Sequence, residues 1–358
     1  MFLDPEHLSQ SDTLALFRRL KLVHLAASGQ RGPVLRTVHP IVFDGELYFH
    51  GSPKGEKMEL LDQPAMLTCE DLLATIPSTW IHPERACPAT SYFYSAHAHG
   101  ALVGIEDVQV KAVVLQQMMQ DYQPGGEYRT ITATDPMYAA AVRGIAVVKL
   151  ADAVLIGRRK VGQNRPAPTR MAVMRHLWER GKGTDLRAVD AMIDAVPEQL
   201  PAFLRGPGGE RFVVAPSEGD VGGAVELLHG TYWNGGVPED VLGQAQLGSA
   251  AWIVARDGDA VVATARAVSD GAKYAYVMDV CVREDRRGRG LGKQLIALLL
   301  DHPAVRTCRR VELHTKDAMP VYEHFGFGPM VDPGWRVGMR LVRLSGPSSL
   351  GNACPTSG

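Results

Sequence analysis

The segment from Arg287 to Lys293 alternates glycine with basic residues in a pattern suited to binding an anion. Glycines at positions 288, 290 and 292 let backbone N–H groups approach a ligand that side chains would exclude. The apolar stretch Gly290–Leu300 predicts a helix, and the unpaired N–H groups and dipole of its first turn would attract an anion. Arginines and lysine in the same segment add positive charge. The segment therefore predicts an anion site between a strand and a helix.

Two common phosphate loops do not fit this segment. A Walker loop needs a glycine five positions before its Gly-Lys pair and a serine or threonine after it, whereas positions 287 and 294 hold arginine and glutamine. The dinucleotide fingerprint G-x-G-x-x-G starts at Gly288 and Gly290 but meets Lys293 where its third glycine belongs. The match that remains is R-x-x-G-x-G, Arg287 to Gly292, which resembles motif A of the GNAT acyltransferases. An exposed basic turn at a helix start is the alternative.

A second segment strengthens this resemblance. Val311 to Phe327, VELHTKDAMPVYEHFGF, carries Ala318, Tyr322 and a closing Gly-Phe pair, similar to the second signature of the GNAT family. Thr231–Leu242 and Ala265–Val280 also resemble a GNAT subgroup. The resemblance extends over roughly Phe212 to Val342 and implies an acyl-CoA-dependent N-acetyltransferase that acts on a small amine.

The GNAT resemblance assigns a role to each motif. It implies that strand peptide groups pair with the pantetheine arm of acetyl-CoA and that the loop holds the pyrophosphate. The implied acetyl-CoA residues are Cys281, Val282, Arg287, Gly288, Arg289, Gly290, Leu291, Gly292 and Lys293. Tyr322 matches the tyrosine that protonates the departing thiolate, for which a phenol that stays protonated near neutral pH is suited.

The general base and the acceptor pocket are less fixed by the motifs. Asp279 is the first candidate for the base, and a buried carboxylate that holds a loop or the strand splay is an equal alternative. Tyr232 and Trp233 lie in the segment that shapes the acceptor pocket in the family, and both would also suit a core. Nothing in the sequence names the acceptor.

The N-terminal half contains a second cationic cluster. Arg36 lies on a predicted strand, His50 and Gly51 end the next strand, and Lys54 and Lys57 lie at the start of a predicted helix. Lysines beside a helix N-terminus would attract a terminal phosphate. The segment resembles the pyridoxamine 5′-phosphate oxidase-like split barrels, particularly their nitroimidazole-reductase-type branch and FMN-binding relatives. The FMN residues that this resemblance implies are Arg36, Thr37, Val38, His39, His50, Gly51, Lys54 and Lys57.

This second resemblance extends from about Leu14 to Arg170 and leaves several occupants open. Tyr92–His97 lacks the arginine that relatives usually carry on this strand, which concerns a flavin or substrate contact. A deazaflavin in the same groove, haem bound through histidines, and a barrel without cofactor are the alternatives to FMN. The histidines are at positions 39, 50, 97 and 99. Their spacing is that of strands, and we expect no metal site.

The element pattern divides the chain into two fold types. β-Branched and aromatic runs dominate the first half and predict an antiparallel barrel, whereas strands alternate with helices in the second half and predict a mixed α/β domain. The two resemblances imply that the barrel is of the split type and that the second domain is a GNAT domain. The predicted elements include strands at 33–44 and Tyr274–Val282 and helices at Gly55–Leu61, Val108–Tyr122 and Ala318–Phe325. The proline- and glycine-rich stretch near residue 205 predicts a linker. The predicted division is a barrel domain at 1–200, a linker at 201–210, a GNAT domain at 211–344 and a disordered tail at 345–358.

Composition excludes several classes of protein. The formal net charge is −1, which does not favour nucleic acid or an anionic membrane as a partner. The five cysteines are scattered, which argues against a disulfide framework, and no apolar run is long enough to span a membrane. We therefore expect a cytoplasmic protein. The barrel resemblance implies a homodimer that pairs through the barrel, and the two resemblances together imply an N-acetyltransferase combined with a flavin-dependent oxidoreductase. A flavin- or haem-binding regulator with a CoA-binding module is the alternative.

Overall fold

The computed structural model describes residues 7–29 and 32–329. The chain forms two compact units, Met1–Leu313 and His314–Gly358, and each is described by itself. The predicted disordered tail, 345–358, and the last residues of the predicted GNAT domain lie outside the described residues. Across the described ranges, no helix combines the length and the apolar character that a membrane crossing requires.

Eight of the described strands form an N-terminal sheet in which every neighbouring pair is antiparallel. In chain order they are β1 (His7–Leu8), β2 (Val23–Gly29), β3 (Gly32–Val38), β4 (Ile41–Phe43), β5 (Glu46–Gly51), β6 (Pro64–Ile76), β7 (Thr90–Gly104) and β8 (Ala146–Lys160). Seven follow the spatial order β3-β2-β6-β7-β8-β5-β4, and β1 pairs with β8.

The end strands of this order, β3 and β4, are consecutive in the chain and are separated only by His39 and Pro40. The sheet must therefore curl until its two ends approach each other, as in a split barrel. Leu25, Phe49 and Leu67 belong to one buried cluster within this curled sheet. The predicted antiparallel split barrel is confirmed.

Three helices accompany the barrel: α1 (Gln10–Arg19), α2 (Val108–Tyr122) and α3 (Ala139–Gly144). The predicted bounds of α2 are confirmed, and the helix begins where Asp107 Oδ1 accepts the N–H of Gln109 at 2.7 Å. A single strand was expected over 33–44, but the structure has two, and Pro40 at the break has no N–H to donate to a ladder. The helix expected over 55–61 is a 3-10 helix, Glu56–Leu60.

A helical hairpin follows the barrel and consists of α4 (Ala167–Arg180) and α5 (Asp185–Ala195). Helix α4 ends at Gly181, whose φ of 54° is the left-handed conformation that favours glycine at this position. Two 3-10 helices, Pro197–Gln199 and Ala202–Leu204, lead from the hairpin to the second sheet.

The second sheet has five described strands in the order β13-β12-β11-β10-β9. They are β9 (Arg211–Val213), β10 (Ala251–Asp257), β11 (Ala260–Ser269), β12 (Tyr274–Val282) and β13 (Arg310–Glu312). Strands β12 and β13 are parallel, and the other pairs are antiparallel. Helices α6 (Glu218–Leu228), α7 (Glu239–Leu247), α8 (Leu291–Leu300) and α9 (Pro303–Arg306) alternate with them. The predicted mixed α/β fold is confirmed, although α7 and α9 were not predicted.

One hydrophobic core connects the barrel, the α4–α5 hairpin and the second sheet. Ile76 enters it from β6, Trp178 from α4, Met192 from α5, Ile253 from β10 and Leu295 from α8, and all five are buried. The hairpin therefore packs against both sheets. The division at residues 201–210 remains a prediction about where the two modules meet, because packing across it is continuous.

The described part of the second unit, residues 314–329, contains α10 (Met319–Glu323). This helix begins after Ala318, whose N–H donates to Thr315 Oγ1 at 3.1 Å. It lies within the predicted helix Ala318–Phe325 and is followed by Gly326, whose φ is 84°.

Candidate functional site

The glycine-rich loop between β12 and α8 has a backbone that only glycine adopts without strain. Gly288 and Gly290 have φ values of 76° and 90°. A Cβ at either position would meet no atom within 4 Å, so conformation rather than space requires glycine there. Gly290 is the N-cap of α8 and offers no side chain to the first-turn N–H groups. These groups are the donors that an anion would accept from.

The three cations of this loop are exposed, as anion binding requires. Arg287 is partly engaged, since its Nε donates to Val282 O at 3.0 Å and its NH1 lies 3.4 Å from Glu284 Oε1. For Arg289 and Lys293, the described residues supply no ion pair. The loop therefore presents a net positive surface around the start of α8.

Among the residues that the structure describes, no strand pairs with the outer edge of β12 along its second half. Strand β13 pairs with β12 only at Tyr274 to Tyr276. Arg283 N–H donates to Val262 O, so alternation along the ladder directs the peptide groups of Cys281 towards β11 and those of Val282 towards the open edge. Of the two residues expected to pair with the pantetheine arm, Val282 thus has the suitable orientation.

Asp279 lies at a β-bulge in β12. The register of β11 against β12 shifts between Thr264 and Arg266, and Asp279 itself has a φ of 50°. Its side chain is only 3% exposed and forms a 2.5 Å ion pair with Arg266 Nε. At the bulge, this carboxylate contacts side chains from β11, from α7 and from the loop between α6 and α7.

The carboxylate of Asp279 has a donor for each of its lone-pair positions. Oδ1 accepts from Trp233 Nε1 at 3.1 Å and from Asn234 Nδ2 at 3.3 Å. Oδ2 accepts from Arg266 Nε and from Gln246 Nε2, the latter at 3.4 Å. A proton on either oxygen would displace one of these donors. The geometry favours the anchoring role over the role of general base.

Tyr232 and Trp233 lie in the loop between α6 and α7 and remain 56% and 43% exposed. Their rings are perpendicular, with centroids 4.8 Å apart. Because the Trp233 indole N–H is bound to the buried Asp279, the orientation of this exposed ring is fixed. The pair forms a rigid aromatic corner on the side of the sheet that carries α6 and α7.

Tyr322 belongs to the second unit, so its geometry is given within that unit alone. It lies on α10, and its ring is perpendicular to that of Phe327 at a centroid distance of 5.9 Å. Its carbonyl accepts the N–H groups of Phe325 and Phe327 at 2.9 and 3.2 Å. The Gly-Phe pair of the signature thus closes the turn behind the tyrosine.

In the barrel, the structure brings part of the predicted FMN set together. Lys57 folds back so that its Nζ donates to His50 O at 3.3 Å and lies 5.7 Å from the centroid of Phe49. A Cβ at position 51 would stand 2.2 Å from that Nζ, so Gly51 makes room for the lysine. Lys54 is exposed nearby, with its N–H bound to Ser52 Oγ at 3.2 Å.

His50 has a buried nitrogen whose hydrogen-bonding capacity is unused. Its Nδ1 has no hydrogen-bond partner in the described residues. Burial, and after it the positive charges of Lys57 and His39, lower the pKa of His50. A neutral imidazole with an orphaned nitrogen beside a lysine fits a polar, anion-bearing ligand.

The members of the set at positions 36 to 39 differ in exposure. Arg36, Thr37 and His39 are exposed, whereas Val38 is buried in the barrel core. His39 Nδ1 lies 2.8 Å from the hydroxyl of Tyr122, whose ring stacks on the imidazole. Tyr122 was missed by the sequence reasoning. The signal for it was an aromatic residue at the exposed end of a predicted helix.

The four histidines do not converge on one point. His50 pairs with Val147 across β5 and β8, whereas His99 pairs with Val154 across β7 and β8. Seven strand residues, about 23 Å, separate those two positions on β8. His97 lies near His99 and contacts Thr68 Oγ1 at 3.0 Å. Within the described chain no group of three or more metal-ligating side chains occurs.

Two family models match the chain, one in the region of the first sheet and one in the region of the second. Residues 9–159 match a family model described as pyridoxamine 5′-phosphate oxidase, and residues 225–327 match one described as acetyltransferase (GNAT) family. The chain joins a pyridoxamine 5′-phosphate oxidase-like region to a GNAT region. Both predicted resemblances are confirmed, over shorter ranges than predicted. No curated protein matches the chain.

Several solved structures are similar to part of the chain. A putative GNAT-family acetyltransferase from Xanthomonas campestris pv. campestris is 29% identical, covering 37% of this chain and 94% of its own, with a TM-score of 0.33. A putative 5-nitroimidazole antibiotic resistance protein from Bacteroides thetaiotaomicron is 19% identical, covering 44% of this chain and 89% of its own, with a TM-score of 0.33. The flavocytochrome Anf3 from Azotobacter vinelandii is 22% identical over 42% and 67%, with a TM-score of 0.36.

Proposed function

We propose that the GNAT region transfers an acetyl group from acetyl-CoA to the nitrogen of a small amine. The observation that carries the proposal is the loop at Gly288 and Gly290, in a region that matches the GNAT family model. Its left-handed glycines, its exposed cations and the uncapped first turn of α8 together suit the pyrophosphate of acetyl-CoA. At Val282 the edge of β12 offers its N–H to the pantetheine arm, while the carbonyl accepts from Arg287 Nε at 3.0 Å.

The reaction forms a C–N bond and breaks the C–S bond of the thioester. The amine nitrogen attacks the carbonyl carbon, and the departing thiolate takes the phenolic proton of Tyr322. The attacking nitrogen releases a proton to water, and the Tyr322 phenolate regains a proton from water. A phenol can donate in this way because it remains protonated at neutral pH.

Asp279 enters this proposal as the anchor of the acceptor side. Its bonds to Trp233 and Asn234 hold the α6–α7 loop against the bulge in β12. Tyr232 and Trp233 would then line the place where the amine approaches the thioester. A positioning role predicts a higher KM for the amine when the anchor is lost, whereas a base predicts a changed pH profile.

The direct test is a thiol-release assay on the full chain with acetyl-CoA and a panel of aromatic, aliphatic and amino-acid amines. Acetylation of at least one amine, confirmed by mass spectrometry, is the expected result. If acetyl-CoA neither binds nor loses its acetyl group to any amine, the acyltransferase proposal is wrong. Binding without transfer would favour the regulatory alternative.

We further propose that the barrel binds FMN, with the phosphate beside Lys54 and Lys57 and with His50 Nδ1 directed at the ligand. The orphaned nitrogen and the family-model match support this assignment. FMN supplies one- and two-electron redox chemistry when bound. The residues of this chain would hold it and keep positive charge near its phosphate. Oxidation or reduction of a small nitrogenous molecule, which the GNAT region then acetylates, is the proposed reason for the fusion.

An absorption spectrum of the freshly purified chain tests the barrel assignment. The two flavin bands, with free FMN released on heating, are expected. A Soret band would assign haem instead, and a deazaflavin spectrum would assign that cofactor. A colourless protein that cannot be loaded with FMN would remove the oxidoreductase proposal.

Assembly and location belong to the same proposal. We expect a homodimer through the barrel, which light scattering after size exclusion would detect as twice the chain mass. A cytoplasmic location would keep the free thiols of Cys69, Cys87, Cys281 and Cys308 reduced. Two halves that share no substrate or product when purified separately would refute the coupling of the two reactions.

A further inference from the structure

The connector that leads into β9 forms a tight hairpin turn. Arg205 and Arg211 pair as an antiparallel bridge, and Gly206 N–H donates to Glu210 O at 2.7 Å. Gly209 has a φ of 92° and donates its N–H to Gly206 O at 3.0 Å. The sequence Gly-Pro-Gly-Gly, predicted to be a linker, is therefore an ordered turn.

The carboxylate of Glu210 is folded under this turn. Its side chain is 3% exposed, and Oε2 accepts the N–H of Gly208 at 2.8 Å. A Cβ at Gly206 or Gly208 would stand 2.5 or 2.6 Å from a carboxylate oxygen. The two glycines thus leave the space that lets a buried charge occupy this position.

That buried charge faces the residue immediately before the phosphate loop. Arg286 NH1 lies 3.7 Å from Glu210 Oε1, and the same guanidinium also contacts Asp257. The Arg286 side chain is only 22% exposed. Carboxylates from two neighbouring segments therefore fix the upstream end of the loop that contains Gly288 and Gly290.

The connector also holds the downstream end of the same loop. Gln294 Nε2, in the first turns of α8, donates to Arg205 O at 2.7 Å. Leu291 Cδ1 lies 3.2 Å from the point where a Gly206 Cβ would be. The connector thus contacts the residues on both sides of the glycine-rich loop.

We infer that the connector Arg205–Glu210 is a positioning element of the acetyl-CoA site, an inference that rests on the proposed acyltransferase function. The loop itself contains the left-handed glycines Gly288 and Gly290, and only Arg287, at its start, makes side-chain bonds within the described residues nearby. Fixing its two ends lowers the entropy that the loop must lose when it closes around a pyrophosphate. Glu210 and Gln294 act through Arg286 and α8, and the structure shows neither as a phosphate contact.

The test compares a ligand that has a pyrophosphate with one that lacks it. Calorimetry on the full chain measures the Kd of acetyl-CoA for wild type, Gln294→Leu and Glu210→Gln. S-acetylpantetheine lacks the pyrophosphate, so its rate of thiol release reports on the part of the donor site that does not contact the pyrophosphate. We expect each variant to weaken acetyl-CoA binding about threefold to tenfold and to leave the rate with S-acetylpantetheine unchanged.

Gln244→Leu is the matched control, because it makes the same substitution at an exposed position of α7. It should change neither measurement. Glu210→Gln alters a buried group, so Gln294→Leu keeps the test valid if the first variant folds poorly. Unchanged acetyl-CoA affinity in a folded Gln294→Leu variant would overturn the inference, as would equal losses with both ligands. A wild-type chain that does not bind acetyl-CoA would overturn the proposed function together with it.

Discussion

The candidate anion site of the GNAT region lies on one strand, one loop and one helix within Tyr274–Leu300, whereas the candidate site of the barrel region combines residues from β3, β5, a 3-10 helix and α2. In the first case, backbone geometry and charge are neighbours in the sequence. In the second, sheet register decides which residues meet. Local sites follow from local sequence, and dispersed sites follow only from the folded sheet.

The largest effect is expected in the GNAT region, at Tyr322. Tyr322→Phe removes the phenolic proton and should lower turnover about 100-fold or more, since positioned acids contribute at least that much. The Kd of acetyl-CoA should stay the same, because the pyrophosphate loop is untouched. Steady-state kinetics and calorimetry measure the two quantities. Unchanged turnover would exclude Tyr322 as the acid and would favour the alternative in which the GNAT region is a CoA-binding module.

Asp279→Asn tests whether the acceptor side depends on a buried ion pair. The variant leaves the Arg266 guanidinium buried without its carboxylate, and we expect a loss of about 3 kcal/mol in the free energy of unfolding. Residual activity should keep its pH profile. Disappearance of the acidic limb of that profile would instead identify Asp279 as the base. Asp259→Asn, at an exposed carboxylate in the β10–β11 turn, is the control.

His302 sharpens the comparison because it lies where the two regions share a core. It is buried, caps α9 through Nδ1 and meets Trp178 edge-on at 5.9 Å. Burial, and after it the charge of Arg306, lowers the pKa of His302 from 6.5 to about 4. Between those pH values the unfolded chain binds more protons, so stability falls as pH falls, by about 3 kcal/mol in total.

Asn at position 302 can still cap α9 but does not titrate. We therefore expect His302→Asn to flatten the pH dependence of the unfolding free energy between pH 4 and 6.5. Denaturation followed by probes in both regions should show one transition in wild type. Two separate transitions, or a variant with the wild-type pH dependence, would contradict the shared core as described.

The smallest of these effects is expected in the barrel, at Lys57. Lys57→Met keeps the packing on Phe49 but removes the charge, and it should weaken FMN binding about tenfold. Lys160→Met is the control, since Lys160 also packs on an aromatic ring, that of Phe93. Fluorescence titration measures both affinities. If wild type and Lys57→Met bind FMN with equal affinity, the phosphate does not lie beside the 3-10 helix.

Much of the molecule could be predicted from periodicity and turn residues. The bounds of α2 and β12 were predicted to the residue, because Asp107 caps one and alternating apolar residues mark the other. Helix α7 was missed, since Glu239–Leu247 has a short apolar face and two glycines nearby. The ordered turn of the connector near residue 205 was not predicted from the sequence, which indicated only a linker.

The contacts within the candidate sites were harder to predict from the sequence than the residue types that form them. Asp279 was a candidate, but its four donors come from β11, α7 and the α6–α7 loop. Of these donors, only Arg266 could have been placed near Asp279 in advance, from the register of the β11–β12 hairpin. The histidines of the barrel were identified as a group. Register along β8 separates them into two pairs, which no single-sequence pattern reveals.

The central claim is that the glycine-rich loop binds acetyl-CoA, and calorimetry with Gly290→Ala and Gly258→Ala tests it most directly. Both glycines have positive φ values, 90° and 60°, and open space for a Cβ, but Gly258 lies in the β10–β11 turn. We predict that wild type binds acetyl-CoA with a Kd between about 1 μM and 1 mM. Gly290→Ala should weaken binding about tenfold and Gly258→Ala should not. Absent wild-type binding, or equal affinities of all three proteins, would contradict the account.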